Sequence, residues 1–227
     1  MKIGVLLSGC GVYDGAEIQE AVFALLAIEE VGAEAVCISV NKDQHHVVNH
    51  LTGEEMNESR NMLVEAGRIA RGKVADISTI TPADIDALVI PGGFGSAKNF
   101  TKWAFAGPEG EILPEVKLLL VNLVNVGRPI AALCVSPVVV AKAFEGSTVK
   151  PFMTIGSSAA PSPYNIDGFA AGLLATGAKA SMKTNAEINI DRENKIVTAP
   201  CYMMETDLVT LRNNIKDSVG ALVELMG

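Results

Sequence analysis

Short, wholly apolar runs that stop at a glycine, proline or cysteine and give way to a helical pattern constrain this chain more than any other feature. Lys2 to Ser8 is such a run, ending in glycines, and reads as a buried strand. Asp14 then opens a helix with Ile18, Val22, Leu25 and Leu26 on one face, and Gly32 ends it. Ala35 to Val40 is the second strand. The more polar stretch from Asn41 to Gly72 holds a loop and a helix near Glu58 to Ala70. Ala87 to Ile90 is a third strand and runs into Pro91-Gly92-Gly93-Phe94-Gly95. A helix from Pro114 to Val126, stopped by Gly127, precedes a fourth strand, Pro129 to Leu133, and a helix, Pro137 to Phe144. Further strands are expected at Phe152 to Ile155 and Ala178 to Met182. Glu187 to Ile190 and Ile196 to Thr198 form a pair turned by Asp191 to Asn194, and a closing helix runs from Leu208 to Leu225.

Strands alternating with helices imply βαβ units, right-handed crossovers and a mostly parallel sheet covered on both faces. Ligands of such sheets bind beyond the carboxyl ends of the strands. The loops Gly9–Gly15, Pro91–Gly95 and Cys134–Pro137 all follow strands, so all three are expected to line one crevice.

With 227 residues, 49% hydrophobic and 19% charged, the chain suits one large core, and one domain over residues 1–227 is expected. A net charge of −8 without a Lys/Arg cluster argues against nucleic acid and anionic membrane surfaces as partners. No stretch reaches the roughly 18 apolar residues of a membrane span. Leu7-Ser8-Gly9-Cys10 imitates a lipoprotein cleavage site, but the apolar segment Ile3–Leu7 is too short for a signal core, so a cytoplasmic protein is expected. The cysteines Cys10, Cys37, Cys134 and Cys201 form no C-x-x-C pair and no zinc or disulfide spacing, and read as reduced thiols.

Cys134 ends an apolar strand and is followed by Val135-Ser136-Pro137. Ser136 suits an N-cap and Pro137 the first helical position. The thiol therefore stands at a helix N-terminus, where free N–H groups and the macrodipole favour a thiolate and can hold an oxyanion. The plain alternative, a small buried hydrophobe, fits Cys37 better. Cys10 and Cys201 follow strands and would approach the same crevice. Glu17 has two readings: the fourth residue of an Asp14-x-x-Glu17 capping box, or a carboxyl facing Cys134 with which it shares one proton. Gly92 and Gly93 form a tight turn whose N–H groups can point into the crevice. Gly9-x-Gly11 resembles a dinucleotide fingerprint, but Asp14 stands where the third glycine belongs and would repel a pyrophosphate. His45, His46 and His50 share one loop; His46 and His50 are spaced for a metal pair, but no acidic ligand matches them, and no metal is expected. No histidine follows Cys134.

These motifs resemble the DJ-1/PfpI superfamily, a branch of the class I glutamine amidotransferase-like folds, and more closely its ElbB/ES1 family. The resemblance rests on Ser8-Gly9-Cys10-Gly11-Val12-Tyr13-Asp14-Gly15, Asn49-His50-Leu51-Thr52-Gly53-Glu54, Pro91-Gly92-Gly93-Phe94-Gly95 with Lys98-Asn99, Cys134-x-x-Pro137 and Thr154-Ile155-Gly156, and spans nearly the whole chain. It implies an α/β, flavodoxin-like three-layer sandwich, usually dimeric, with Cys134 as the elbow nucleophile and Glu17 as its acidic partner. It also implies a cofactor-independent, glutathione-independent glyoxalase activity, a lyase taking glyoxal or methylglyoxal to the hydroxy acid, with protein deglycation an open alternative. The name ElbB is tied to isoprenoid production, which assigns no reaction. In that scheme Cys134 forms a hemithioacetal, Gly93 and Val135 N–H groups hold the oxyanion, with Gly92 in the same loop, and Glu17 moves the proton. Glutamine hydrolysis is disfavoured by the missing histidine. The usual Cys-x-Ala-Pro elbow is Cys134-Val135-Ser136-Pro137 here. The competing reading is a redox-sensing or partner-binding protein whose Cys134 oxidises to sulfinic acid. A homodimer is expected from the resemblance and from the aromatic cluster Phe94, Phe100, Trp103 and Phe105.

Overall fold

The computed structural model describes residues 1–227. In chain order the elements are β1 Lys2–Leu6, α1 Ile18–Glu30, β2 Glu34–Ser39, α2 Met62–Ile69, β3 Ala75–Asp76, β4 Ala87–Ile90, α3 Trp103–Ala106 and α4 Pro114–Asn125. They continue with β5 Ile130–Leu133, α5 Pro137–Phe144, β6 Phe152–Thr154, α6 Ile166–Ala175, β7 Lys179–Ser181, β8 Asn189–Asp191, β9 Ile196–Ala199 and α7 Leu208–Glu224. Seven strands form one sheet in the order β3-β2-β1-β4-β5-β9-β8. All its pairings are parallel except β8 with β9, which is antiparallel. β6 and β7 pair separately. This is the mostly parallel sheet covered on both faces that the alternating pattern predicts, and the flavodoxin-like three-layer sandwich that the resemblance implies. The middle strands β4, β5 and β9 are buried at every position. A strand covered by helices on both faces has no polar side to show, which is why these runs are continuous rather than alternating. No helix is long and apolar enough to cross a membrane.

Helix α1 differs from expectation. It begins at Ile18, one turn later than Asp14, and Glu17 is its N-cap. Its buried face carries Glu20, Ala21, Ala24, Ala27 and Ile28, whereas Ile18, Val22 and Leu26 are 45, 46 and 41% exposed. Small residues face inward because α1 packs closely on α7 and the sheet. Helices α3 and α6 and strand β3 go beyond the elements expected from the sequence. Gly168 and Gly172 weaken the helical signal of α6, and a Cβ on Gly172 would come within 2.6 Å of Trp103 Cζ2. Of the aromatic cluster expected at a dimer face, Phe100 and Trp103 are buried in the core, so the cluster is no exposed patch.

Between β4 and α3 the chain makes a short π-helix, Ser96–Phe100. It carries Asn99 into the interior. The Asn99 Nδ2 group donates to Ser8 O at 2.9 Å and to Asp14 O at 2.8 Å, and Oδ1 accepts from His45 N at 2.9 Å. One carboxamide thus ties the loop after β1 to the segment after β2. Asn99→Ala leaves a buried amide and two carbonyls without partners and is expected to cost about 1–3 kcal/mol. Asn99→Asp should cost more, since a carboxylate would face two carbonyl oxygens. Urea unfolding of both variants checks the order.

Candidate active site

The carboxyl ends of β1, β4 and β5 bring the three expected loops together. Val12, Gly93, Phe94, Cys134 and Val135 line a small cavity, closed on its other side by Glu17, Tyr164, Tyr202 and Met203. Its volume is about 20 Å³, room for about one water molecule.

Cys134 follows β5 directly and sits in the left-handed region at φ 58°. A non-glycine residue there carries strain and persists only where its surroundings impose it. The imposing contacts are local. The Cys134 N–H donates to Ala199 O at 2.9 Å. Ser136, expected to cap α5, makes no capping bond; its hydroxyl donates to Pro91 O at 2.7 Å. The Ser96 hydroxyl lies 2.8 Å from Ser136 Oγ, whose proton is already given to Pro91, so Ser96 is the donor. The elbow is therefore pinned to the Gly-Gly loop rather than to its own helix. Gly92 has to be glycine: a Cβ there would stand 2.5 Å from Glu20 Oε2 and 2.8 Å from Cys134 Sγ.

The acid at the sulfur is Glu20, not Glu17. Because α1 starts one turn later than the capping-box reading assumes, the residue aimed at Cys134 is three positions further on. Glu20 is fully buried and hydrogen-bonded to the Cys134 thiol. Its Oε2 accepts from Gly92 N at 2.8 Å and its Oε1 from Tyr202 N at 3.2 Å. Burial, with the Glu17 charge second, pushes the Glu20 carboxyl up to about 8, so it holds a proton at neutral pH. Burial pushes the Cys134 thiol up as well, and any charge on Glu20 adds to that, whereas the Gly93 N–H facing the sulfur favours the thiolate. At neutral pH both groups are therefore protonated, and they titrate as a coupled pair. Gly92 N–H is spent on Glu20 and is withdrawn as an oxyanion donor. The Val135 N–H has no acceptor within the protein and remains free.

Glu17 caps α1, its Oε2 accepting from Glu20 N at 2.6 Å, and is raised chiefly by burial. It nonetheless lines the cavity, which Glu20 does not. Asp14 does not cap α1; it is buried and accepts from Val48 N at 2.8 Å. Cys201 is buried at φ 46°, its thiol 3.6 Å from Asn214 Oδ1, and lies close enough to Cys134 for its charge to act there. Cys10 faces Glu65 and Arg68 and Cys37 is core, so neither lines the cavity. The histidines stand apart. His50 donates from Nδ1 to Val48 O and accepts at Nε2 from Tyr13 N, and His45 and His46 stack with Phe105.

Glutamine at position 20 would place an NH₂ group against either Gly92 N–H or Tyr202 N–H. Only a protonated carboxyl accepts both and still donates to sulfur. Glu20→Gln is expected to lose about 1–3 kcal/mol near pH 5. Wild-type Glu20 is raised from about 4.5 to about 8 on folding, so the folded state binds the extra proton and wild-type stability falls as pH rises between these values. Glutamine removes that slope. The gap between variant and wild type should narrow towards pH 8 in thermal unfolding.

No protein-family model matches the chain. It is 38% identical over 230 residues to the human glutamine amidotransferase-like class 1 domain-containing protein 3, mitochondrial, covering all of this chain and 84% of that protein. It is also 38% identical over 227 residues to the mitochondrial ES1 protein homolog of Rattus norvegicus, covering 98% of this chain and 82% of the relative. A crystal structure from Ehrlichia chaffeensis, described as an isoprenoid biosynthesis protein with an amidotransferase-like domain, superposes with a TM-score of 0.90 at 34% identity over the full length of both chains. Glyoxalase III of Candida albicans shares the fold alone, with a TM-score of 0.59 at 14% identity over 97% of each chain. By its relatives and its fold, the chain belongs to the ES1 family of glutamine amidotransferase-like class 1 proteins.

Proposed function

We propose that this chain is a cofactor-independent enzyme that converts glyoxal or methylglyoxal to the corresponding hydroxy acid through Cys134. The observation that carries this reading is the strained elbow thiol set beside a fully buried carboxyl raised to about 8. The Cys134 sulfur attacks one aldehyde carbon with the Glu20 proton hydrogen-bonded to the developing thiolate, and the proton lost from the thiol passes to the new alkoxide to give the hemithioacetal. The free N–H of Val135 and that of Gly93 hold the oxyanion. Glu17, which faces the cavity, removes the proton from the carbon bearing sulfur and returns it to the neighbouring carbonyl carbon, while the hydroxyl proton of the hemithioacetal passes to the neighbouring oxygen, leaving a thioester and a hydroxyl. Water then releases the hydroxy acid and the thiol. The oxidation of one carbon balances the reduction of the other, so no external electron acceptor enters. No histidine lines the cavity, which argues against glutamine hydrolysis. The thiol chemistry suits a reducing compartment such as the cytoplasm.

Glycolate formed from glyoxal in metal-free buffer tests the reading. Wild type should turn over, Cys134→Ala should not, and Glu17→Gln should fall roughly a hundredfold or more, the usual scale for losing a general acid–base. Absence of glycolate from the wild-type reaction rejects the reading. The proposal includes a homodimer, now seated on the exposed α1 stripe of Ile18, Val22 and Leu26. Light scattering should give twice the 23.8 kDa chain mass and shift towards the monomer in Val22→Lys.

A further inference from the structure

The cavity at Cys134 is smaller than a dicarbonyl, and one side chain, Phe94, lines both it and a larger neighbouring space. On the far side of Phe94 lies a second, open cavity of about 320 Å³, walled by Trp103 and Ala104 of α3, Phe169 of α6 and Asn165 at the head of α6. That volume lies within the roughly 300–1,000 Å³ range of small-molecule sites. Phe94 lines both cavities. So does the segment before α6, residue by residue: Tyr164 closes the inner cavity and Asn165 faces the outer one.

Phe94 is anchored through its main chain rather than through a side-chain hydrogen bond. Its backbone is fixed, the N–H donating to Val12 O at 2.7 Å. Its half-buried ring meets Tyr164 edge-on at 5.9 Å between centroids and lies 5.6 Å from the Lys98 ammonium. Such contacts contribute about 0.5–1.5 kcal/mol each, little enough for a rotamer change. With the ring turned, the space beside the Cys134 sulfur opens into the outer cavity. That cavity is mainly aromatic and aliphatic with one polar handle. Asn165 Oδ1 is engaged by Gly168 N at 2.9 Å, whereas the Asn165 Nδ2 group has no acceptor within the protein. It offers a donor to an oxygen at the rim.

We infer that the outer cavity is the substituent subsite of the Cys134 centre. The preferred substrates are then carbonyl compounds carrying an aromatic or branched aliphatic group with an oxygen acceptor, admitted past Phe94. This rests on Cys134 being the nucleophile, as proposed above, and goes beyond glyoxal in naming what the site selects.

Alkylation of Cys134 tests the inference without requiring turnover. Iodoacetamide and iodoacetanilide carry the same leaving group and amide, and only the second carries a phenyl ring. Rates at Cys134, followed by intact mass and peptide mapping, are compared with those of free glutathione. The expected result is a phenyl preference at Cys134 at least tenfold above that of glutathione. Ala104→Phe, which fills the subsite from an exposed position on α3, should cut that preference at least fivefold. Phe94→Ala should raise the iodoacetanilide rate. Iodoacetanilide should also change the emission of Trp103, the single tryptophan, in a saturable way in a Cys134→Ala background. A preference equal to that of glutathione overturns the subsite, as does a preference that Ala104→Phe leaves unchanged. If neither reagent labels Cys134, the nucleophile reading and the subsite fall together. If Cys134 shows the phenyl preference but glyoxal yields no glycolate, the glyoxalase reading fails and the subsite stands.

Discussion

The Glu20 carboxyl is the interaction on which the site depends. It accepts from Gly92 in the loop after β4 and from Tyr202 in the turn after β9, and it meets the Cys134 thiol after β5, while its own backbone is fixed in α1. Four segments with no sequence proximity converge on one group. A buried carboxylate with two N–H donors would be tolerable but would expel a neighbouring thiolate. A buried neutral carboxyl satisfies both donors and still has a proton for the sulfur. Burial thus selects the neutral carboxyl, and the nearby Glu17 pushes in the same direction.

That convergence explains which parts of the molecule were legible in the sequence. The elbow was legible because a parallel strand buried on both faces stops being apolar where its carboxyl end begins, and Cys134, Gly93 and Val12 all sit at such ends. The pairing of acid and thiol was not. Asp14-x-x-Glu17 has the form of a capping box, and it drew the start of α1 forward by one turn. In the fold Asp14 turns instead to Val48, and Glu17 caps the helix itself. The signal for Glu20 was present in a weaker form. Glu20, Ala24 and Ala27 follow helical spacing on one face and Ile18, Val22 and Leu26 on another. Bulk suggested the second face as the core. Close packing against α7 required small side chains on the first, and so carried a carboxyl inward with them.

Helix α6 illustrates the same physics from the other side. Its interior glycines lower its propensity, so it carries little local signal. Gly172 is small because the Trp103 indole lies over it. The helix exists for a tertiary contact that no local pattern announces, and that contact also builds the wall of the cavity beyond Phe94. Residues that look like helix breakers in the sequence are here a record of a bulky partner supplied from some seventy positions away.

Strain at the elbow has a structural counterpart in the next strand. Cys134 and Cys201 both adopt positive φ, 58° and 46°, just beyond the paired strand ends Leu133 and Ala199. Each such conformation costs about 1–3 kcal/mol in a side chain other than glycine. Two of them side by side turn the chain where the paired strands β5 and β9 end, with the Cys134 thiol and the Tyr202 N–H both at the Glu20 carboxyl. A relaxed backbone at Cys134 would follow the strand direction and carry the thiol away from the acid. The Ser136–Pro91 and Ser96–Ser136 hydrogen bonds hold the bend against that relaxation, and both are buried, where their loss would leave unpaired polar groups. The elbow's geometry and its rigidity therefore have one origin: the strain stays in place because releasing it would uncouple a buried hydrogen-bond network.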